Sequence, residues 1–483
     1  MFFLPQYALA LFLFPPVALA DPIHIPLTRR SSGNRDINYY VSAAKHLQAK
    51  YNIMGNSSPH GKRASSDSIQ TIGIDLFSDA AYAALIKIGT PPQSLKVILA
   101  TGASDFLVLD TLCTSCNSTI PLFDPSKSSS ITSAYANGTI SFNASSSASG
   151  IIAQDVVSMG NFIVQNQTFL AVDKIVGGFF GGTVSGVMGL AFSAVSVTRS
   201  TPFWQALGNQ LAVPEMAFYL ARFKDDSSAQ VDEPGGVFTL GGTNSTLFTG
   251  DIEFLAMPSG TPTYWILAMS AITVQGQSVQ IMTGTNVFFD TSTTFIGGPT
   301  ADVNAIWAAV PGSAVAVNYT GFFSFPCFTS VQVTLSFGGK AWPIKVTDIN
   351  LGQISHGSSQ CLGAIADINI ATNYSGPPAW VVGNSFLKNV YSVFRASPPS
   401  IGFAQLSSVA GGIGERENSL VFPVTSSSLL LPGAPNSNDS STTNGAGGSG
   451  GSGKSNGGSS IRITLPAMLT TATIASVVLM SLL

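Results

Sequence analysis

Two stretches decide the fold: VILATGASDFLV (Val97 to Val108) and NVFFDTSTTFIG (Asn286 to Gly297). Each is an apolar run rich in β-branched and aromatic residues, and each breaks into a small-residue turn of Thr with Gly or Ser, the pattern of a strand entering a tight turn. The likeness extends downstream. Ala100 is followed 89 residues later by Gly189 in SGVMGLAF, and Asp290 is followed 93 residues later by Gly383 in AWVVGNSF. Near-equal spacing between matched pairs predicts one structural unit used twice.

Composition agrees with an all-β chain of more than one unit. The 483 residues are 45% hydrophobic, enough for large cores, yet only 9% are charged, which suits short strands and turns better than long salt-bridged helices. The net charge of −3 hides an asymmetry: residues 21 to 63 carry seven Lys/Arg against two Asp, and residues 64 to 483 carry fourteen against twenty-two acids. No basic patch interleaved with aromatics occurs, which argues against a nucleic-acid partner. Four cysteines in so long a chain trim stability rather than replace a core. Three pairings are open, and Cys113-x-x-Cys116 also has the spacing of a redox pair, although no βαβ pattern surrounds it.

The paired motifs, with the flanks LIKIGTPPQ (Leu85 to Gln93) and GGVFTLGGTNSTLFTGDIEF (Gly235 to Phe254), resemble the pepsin-like aspartic peptidases over about Tyr82 to Leu406. The resemblance implies a bilobal all-β fold, with lobes at 64–255 and 256–406 around a central cleft. It also implies bridges within lobes, Cys113 with Cys116 and Cys327 with Cys361. The family's chemistry uses two carboxylates sharing a proton, one as base on a water and the other as acid on the peptide carbonyl. Asp290-Thr291-Ser292 keeps one, followed by Thr293. Ala100-Thr101-Gly102 puts a methyl group in place of the other. Three further polar members of the site are replaced: Phe142 stands for the flap tyrosine, Leu107 for its tryptophan partner, and Ala103 for the serine after the turn. Asn384 stands where the family usually has Asp, and Ser292 where it has Gly.

In chain order, residues 1–20 read as a signal peptide ending Val17-Ala18-Leu19-Ala20. The resemblance makes 21–63 a basic propeptide released at Lys62-Arg63; docking on the acidic remainder is expected to weaken on acidification. The first lobe is expected to be built of short strands. Sequons stand at Asn117, Asn137, Asn143, Asn166, Asn244, Asn318, Asn373 and Asn438, a density fitting a surface glycoprotein. Residues 407–460 form a Ser/Gly/Asn-rich stalk. Residues 461–483 match a glycosylphosphatidylinositol signal with attachment at Asn456, since no Lys or Arg follows the apolar tail.

The expected function is a secreted, lipid-anchored pseudopeptidase of the outer cell surface or wall. Its cleft would take extended peptides or wall proteins as an added strand, which needs no dyad. Residual acid proteolysis through Asp290 and a purely structural glycoprotein are the alternatives. No metal or cofactor is expected, and the chain is expected to be a monomer.

Overall fold

A computed structural model describes residues 22–30, 37, 40, 41, 43, 44, 47, 48, 81–116, 120–143, 146–176, 184–222, 232–368 and 380–410. The signal peptide, Lys62-Arg63, the stalk beyond Ala410, Asn456 with its signal, and sequons Asn117, Asn373 and Asn438 lie outside the described residues, as do the side chains of Phe142 and Asn143; the first four residues expected in the stalk are described, and Ser407 and Ala410 are buried.

The chain opens with β1 (Ile23–Arg30), then β2 (Ala81–Ile88), β3 (Gln93–Ala100) and β4 (Phe106–Leu109). Along β3 the burial changes from mixed at Gln93–Lys96 to complete at Val97–Ala100, as the strand passes from a half-exposed sheet to one covered on both faces. β5 (Thr132–Asn143), β6 (Ser146–Met159) and β7 (Phe162–Val176) form an antiparallel ribbon. These strands are 12, 14 and 15 residues long, against the expectation of short strands. Register shifts on both sides of β6 let the ribbon bend as it twists, so that it need not be cut into shorter pieces. β8 (Gly186–Gly189), the short helix α1 (Phe203–Ala206), β9 (Glu215–Leu220), β10 (Asp232–Leu240) and β11 (Phe248–Ala256) complete this half.

The second half begins with β12 (Ile266–Ala268), β13 (Ala271–Val274), β14 (Gln277–Val279), β15 (Asn286–Phe289) and β16 (Ile296–Gly298). Next come α2 (Thr300–Ala308), β17 (Ala314–Val315), β18 (Phe323–Pro326), β19 (Val333–Ser336) and β20 (Ala341–Ile344). After α3 (Val346–Ile349) lie β21 (Asn350–Gln353), β22 (Gln360–Gly363), β23 (Ile365–Asp367) and β24 (Trp380–Val382). The chain then runs through α4 (Asn384–Leu387), β25 (Tyr391–Ala396) and β26 (Pro399–Leu406).

The internal repeat is visible in the strand pairing. In the first half β3 runs parallel to β8, β8 antiparallel to β4, and β4 parallel to β7. In the second, β15 runs parallel to β24, β24 antiparallel to β16, and β16 parallel to β23. The two motif glycines serve one purpose in both copies. A Cβ on Gly189 would lie 2.7 Å from the Ala103 carbonyl oxygen, and one on Gly383 would lie 2.1 Å from that of Thr293. Only a residue without a side chain lets these backbones cross so closely.

The halves are not built from separate sheets. A thirteen-stranded sheet runs β11-β26-β25-β9-β10-β1-β2-β3-β8-β4-β7-β6-β5, so β25 of the second half pairs with β9 of the first, and β26 joins β25 to β11. β1 sits inside it, paired with β10 over its whole length and with β2 at one end. The connection is reinforced by the Trp265 indole, which donates to the Leu190 carbonyl at 2.9 Å and packs against Phe192 with ring centroids 4.5 Å apart. Cys113 bonds to Cys116 and Cys327 to Cys361, each bridge within one half.

Candidate active-site cleft

Ala100 ends β3, and Asp290 follows β15 directly, so the pseudo-symmetry brings the two motif turns together. Their threonines interlock. The Thr101 hydroxyl donates to the Phe289 carbonyl at 2.8 Å and the Thr291 hydroxyl to the Leu99 carbonyl at 2.7 Å. Each hydroxyl also accepts from the other residue's amide, Thr291 N–H at 3.0 Å and Thr101 N–H at 3.1 Å. This reciprocal lattice is fully buried, so losing any member strands a partner at roughly 1–3 kcal/mol.

Asp290 is buried, and its carboxylate is held by four donors. Oδ1 accepts from the amides of Ser292 (2.9 Å) and Gly102 (3.2 Å) and from the Ser292 hydroxyl (2.7 Å); Oδ2 accepts from the Thr293 hydroxyl (2.9 Å). The symmetry exposes what has changed. In the second turn the amide two residues on binds its own turn's carboxylate. In the first turn Ala100 offers no acceptor, and the matching Gly102 amide donates across to Asp290 instead. Gly102 is needed for space, since a Cβ there would sit 2.5 Å from Asp290 Cγ.

Ser292 does not take up the positive φ that would strain a serine in place of glycine; among the described non-glycine residues only Arg199 and Gln275 do. Its hydroxyl is a donor to Asp290 that a glycine could not supply. Asn384 is buried and donates from Nδ2 to the Thr291 carbonyl at 3.1 Å, bracing the turn from beneath. Leu107 is buried in β4, and Ala103 beside the turn is half-buried. Phe142 lies in β5, its side chain outside the described residues.

Three features of the cleft carry no signal in the motifs. Tyr264 stacks on Phe288 with centroids 4.6 Å apart; burial, then the charges of Asp105 and Asp290, push its phenol up to about 12, so it stays protonated. Asp105 is no stand-in for the missing carboxylate. It accepts from the Thr198 hydroxyl at 2.6 Å, the Ser196 hydroxyl at 2.8 Å and the amides of Val197 and Thr198 at 2.9 Å, all away from the turn. Finally, Ile37, Tyr40, Val41, Ala43, Ala44 and Leu47 belong to one buried apolar cluster with Ala100, Leu107, Tyr264 and Phe288. Their three-and-four spacing is that of one helix face, and the Gln48 amide reaches the Asp367 carbonyl at 3.4 Å.

Among the described residues no group of three His, Cys, Asp or Glu is placed to hold a metal ion, and no helix is long and apolar enough to cross a membrane. Of the sequons described with their side chains, Asn137, Asn166 and Asn318 are exposed and Asn244 half-buried.

A bilobal β fold with two interlocked Asp/Ala-Thr-Gly/Ser turns is that of the pepsin-like aspartic peptidases, and the chain belongs to the eukaryotic aspartyl protease family, whose profile matches residues 81–406. It is 34% identical over 435 residues to the major aspartyl peptidase 1 of Cryptococcus neoformans var. grubii, covering 82% of this chain and 88% of that one. An aspartic protease of Phaffia rhodozyma is 32% identical, over 75% of this chain and 83% of its own. Cathepsin D of Gallus gallus is 30% identical, over 68% and 81%.

Proposed function

We propose that this protein is a surface-anchored member of its family in which peptide binding has outlived peptide cleavage. The observation that carries the reading is the Gly102 amide donating to Asp290 opposite Ala100. Peptide hydrolysis by this family needs one carboxylate to take a proton from water while a second gives one to the carbonyl. Here one carboxylate is enclosed by four donors, and a methyl group, which can neither accept nor give a proton, occupies the other position. Strand addition in the cleft depends on backbone hydrogen bonds and needs no dyad. The burial of Ile37, Tyr40, Val41, Ala43, Ala44 and Leu47 in one cluster with Ala100 and Leu107 supports reading 21–63 as a segment that covers the cleft.

The test is to remove residues 21–63 by proteolysis at Lys62-Arg63 and incubate the protein with a denatured substrate at pH 3 to 6. The expected outcome is no cleavage above background, with saturable binding of an extended peptide. Cleavage blocked by a statine-type transition-state mimic would show a working peptidase, and absence of both binding and cleavage would leave a structural glycoprotein.

The same reading places the mature chain outside the cell on a lipid anchor at Asn456. Phosphatidylinositol-specific phospholipase C should release it from intact cells. A retained protein with a C-terminus accessible from the cytoplasm would overturn the anchor.

A further inference from the structure

An outer strand of a sheet invites pairing with another chain, and two edges of this molecule carry a guard against it. β11 has Asp251 and Glu253, and β20 contains Pro343 and is flanked by Lys340 and Lys345. β17 carries neither charge nor proline. It is the outer strand of the sheet β17-β18-β22-β21, paired with β18 through Ala314 and Val315, and among the described residues no strand pairs with its other side. The extended run continues beyond it, since the Ala316 amide donates to the Phe322 carbonyl at 2.9 Å. Along this run Val315 is 60% exposed and Val317 is 92% exposed. No Asp, Glu, Lys, Arg or His occurs between Asp302 and Lys340. An uncharged stretch of alternating alanine and valine on an open edge is a template for a second copy of itself.

What stands at the end of this edge is a sequon. Asn318 and Thr320 of Asn318-Tyr319-Thr320 are exposed. Tyr319 between them is anchored: its amide donates to the Ala316 carbonyl at 2.8 Å and its hydroxyl to the Ile354 carbonyl at 2.7 Å. The acceptor asparagine is therefore held in a fixed turn, next in sequence to the most exposed valine. An N-glycan is bulky and hydrophilic, so one on Asn318 excludes a second strand from the space beside Val315 and Val317.

We propose that Asn318 is glycosylated and that its glycan keeps two copies of the chain from pairing along β17. The inference rests on the reading of the chain as exported, and it singles out one sequon by what it guards. The test uses the full-length chain from a eukaryotic host, with site occupancy read by peptide mass and association by sedimentation velocity. Wild type is expected to be occupied at Asn318 and monomeric. Asn318→Gln and Thr320→Ala each destroy the sequon from an exposed position, and each should dimerise roughly tenfold more tightly. Thr320→Ser, which keeps the sequon, should stay monomeric. Adding Val317→Lys to Asn318→Gln should restore the monomer, because a charge on the edge then does what the glycan did. Asn166→Gln, on β7 inside the thirteen-stranded sheet, is the control and should change nothing. Unchanged thermal unfolding checks that each variant remains folded. A bare Asn318 beside occupied sequons elsewhere, a monomeric Asn318→Gln, or a dimer that Val317→Lys does not dissolve would each overturn the proposal. A chain with no glycan at any sequon would overturn it together with the reading of export.

Discussion

Ala100→Asp is expected to return acid-dependent cleavage of a denatured protein, but only weakly. In serine proteases, losing one member of a coupled catalytic set costs about four to six orders of magnitude, or about 5–8 kcal/mol of barrier, and the same scale is adopted here. Supplying the second carboxylate recovers only part of this, because the donors around Asp290 are already committed. The Gly102 amide must turn back to its own turn, and the Ser292 hydroxyl at 2.7 Å must release Oδ1 before a water can be shared between two carboxylates. Ser292→Gly, Ala103→Ser and Phe142→Tyr added to Ala100→Asp should therefore raise the rate further, stepwise. Leu107→Trp is the costly member of the set. Leu107 is fully buried in β4, so the larger ring overpacks by roughly 1–3 kcal/mol. Rates should be read beside thermal unfolding for that reason. Full activity from Ala100→Asp alone would show the other departures to be harmless, and none from the whole set would mean that the cleft has been rebuilt for another purpose.

The fold was legible because its evidence is repeated: two apolar-Thr turns, two glycines where backbones cross, and similar spacing between them. Asp290, Ala100 and the two turn threonines could be picked out from the doubled motif, whereas the pairing of Cys113 with Cys116 and Cys327 with Cys361 came only from the family resemblance, since spacing left three pairings open. The rewired Gly102 amide was not, since a hydrogen bond that switches between turns leaves the glycine unchanged in sequence. In the sequence Ser292 registers only as a departure from the family's Gly, and its main consequence, the hydroxyl it adds to Asp290, shows only in the structure. Strand length failed at β5–β7 because bulges, which have no fixed residue signature, let long strands bend. Charge drew attention to a basic leading segment, but what the described residues place against the cleft is an apolar face, Ile37 to Leu47, and β1 is held by backbone pairing. The lobe boundary expected at 255 and 256 was drawn from the sequence repeat, and the thirteen-stranded sheet crosses it through β9 and β25. Long-range pairing of this kind depends on tertiary contacts that local patterning does not encode.

The same crossing explains why Asp348, far from the cleft, should matter to the whole molecule. Its carboxylate is buried at the junction of the two halves, 2.6 Å from Arg222 Nη2 two residues after β9 and 2.8 Å from Lys388 Nζ just after α4, with Asn389 Nδ2 donating at 3.0 Å. Burial alone would raise its pKa, but the charges of Lys388 and Arg222 outweigh that and hold it well below the usual carboxylate range. Asp348→Asn leaves two nearly buried cations facing each other without a counter-charge, so a loss of about 3–5 kcal/mol is expected at neutral pH. The sign of the pH dependence follows from the depressed folded value. The unfolded chain takes up a proton first as pH falls through about 4, so the contribution of Asp348 is complete above that pH and is lost progressively below it. Thermal unfolding from pH 2 to 7 should thus show a wide gap between wild type and Asp348→Asn at neutral pH that narrows in strong acid. Adding Lys388→Met should recover part of the neutral-pH loss by removing one of the stranded charges. A gap of constant size across the range would assign the effect to packing and refute the electrostatic account, because only a titrating carboxylate can make the two curves converge.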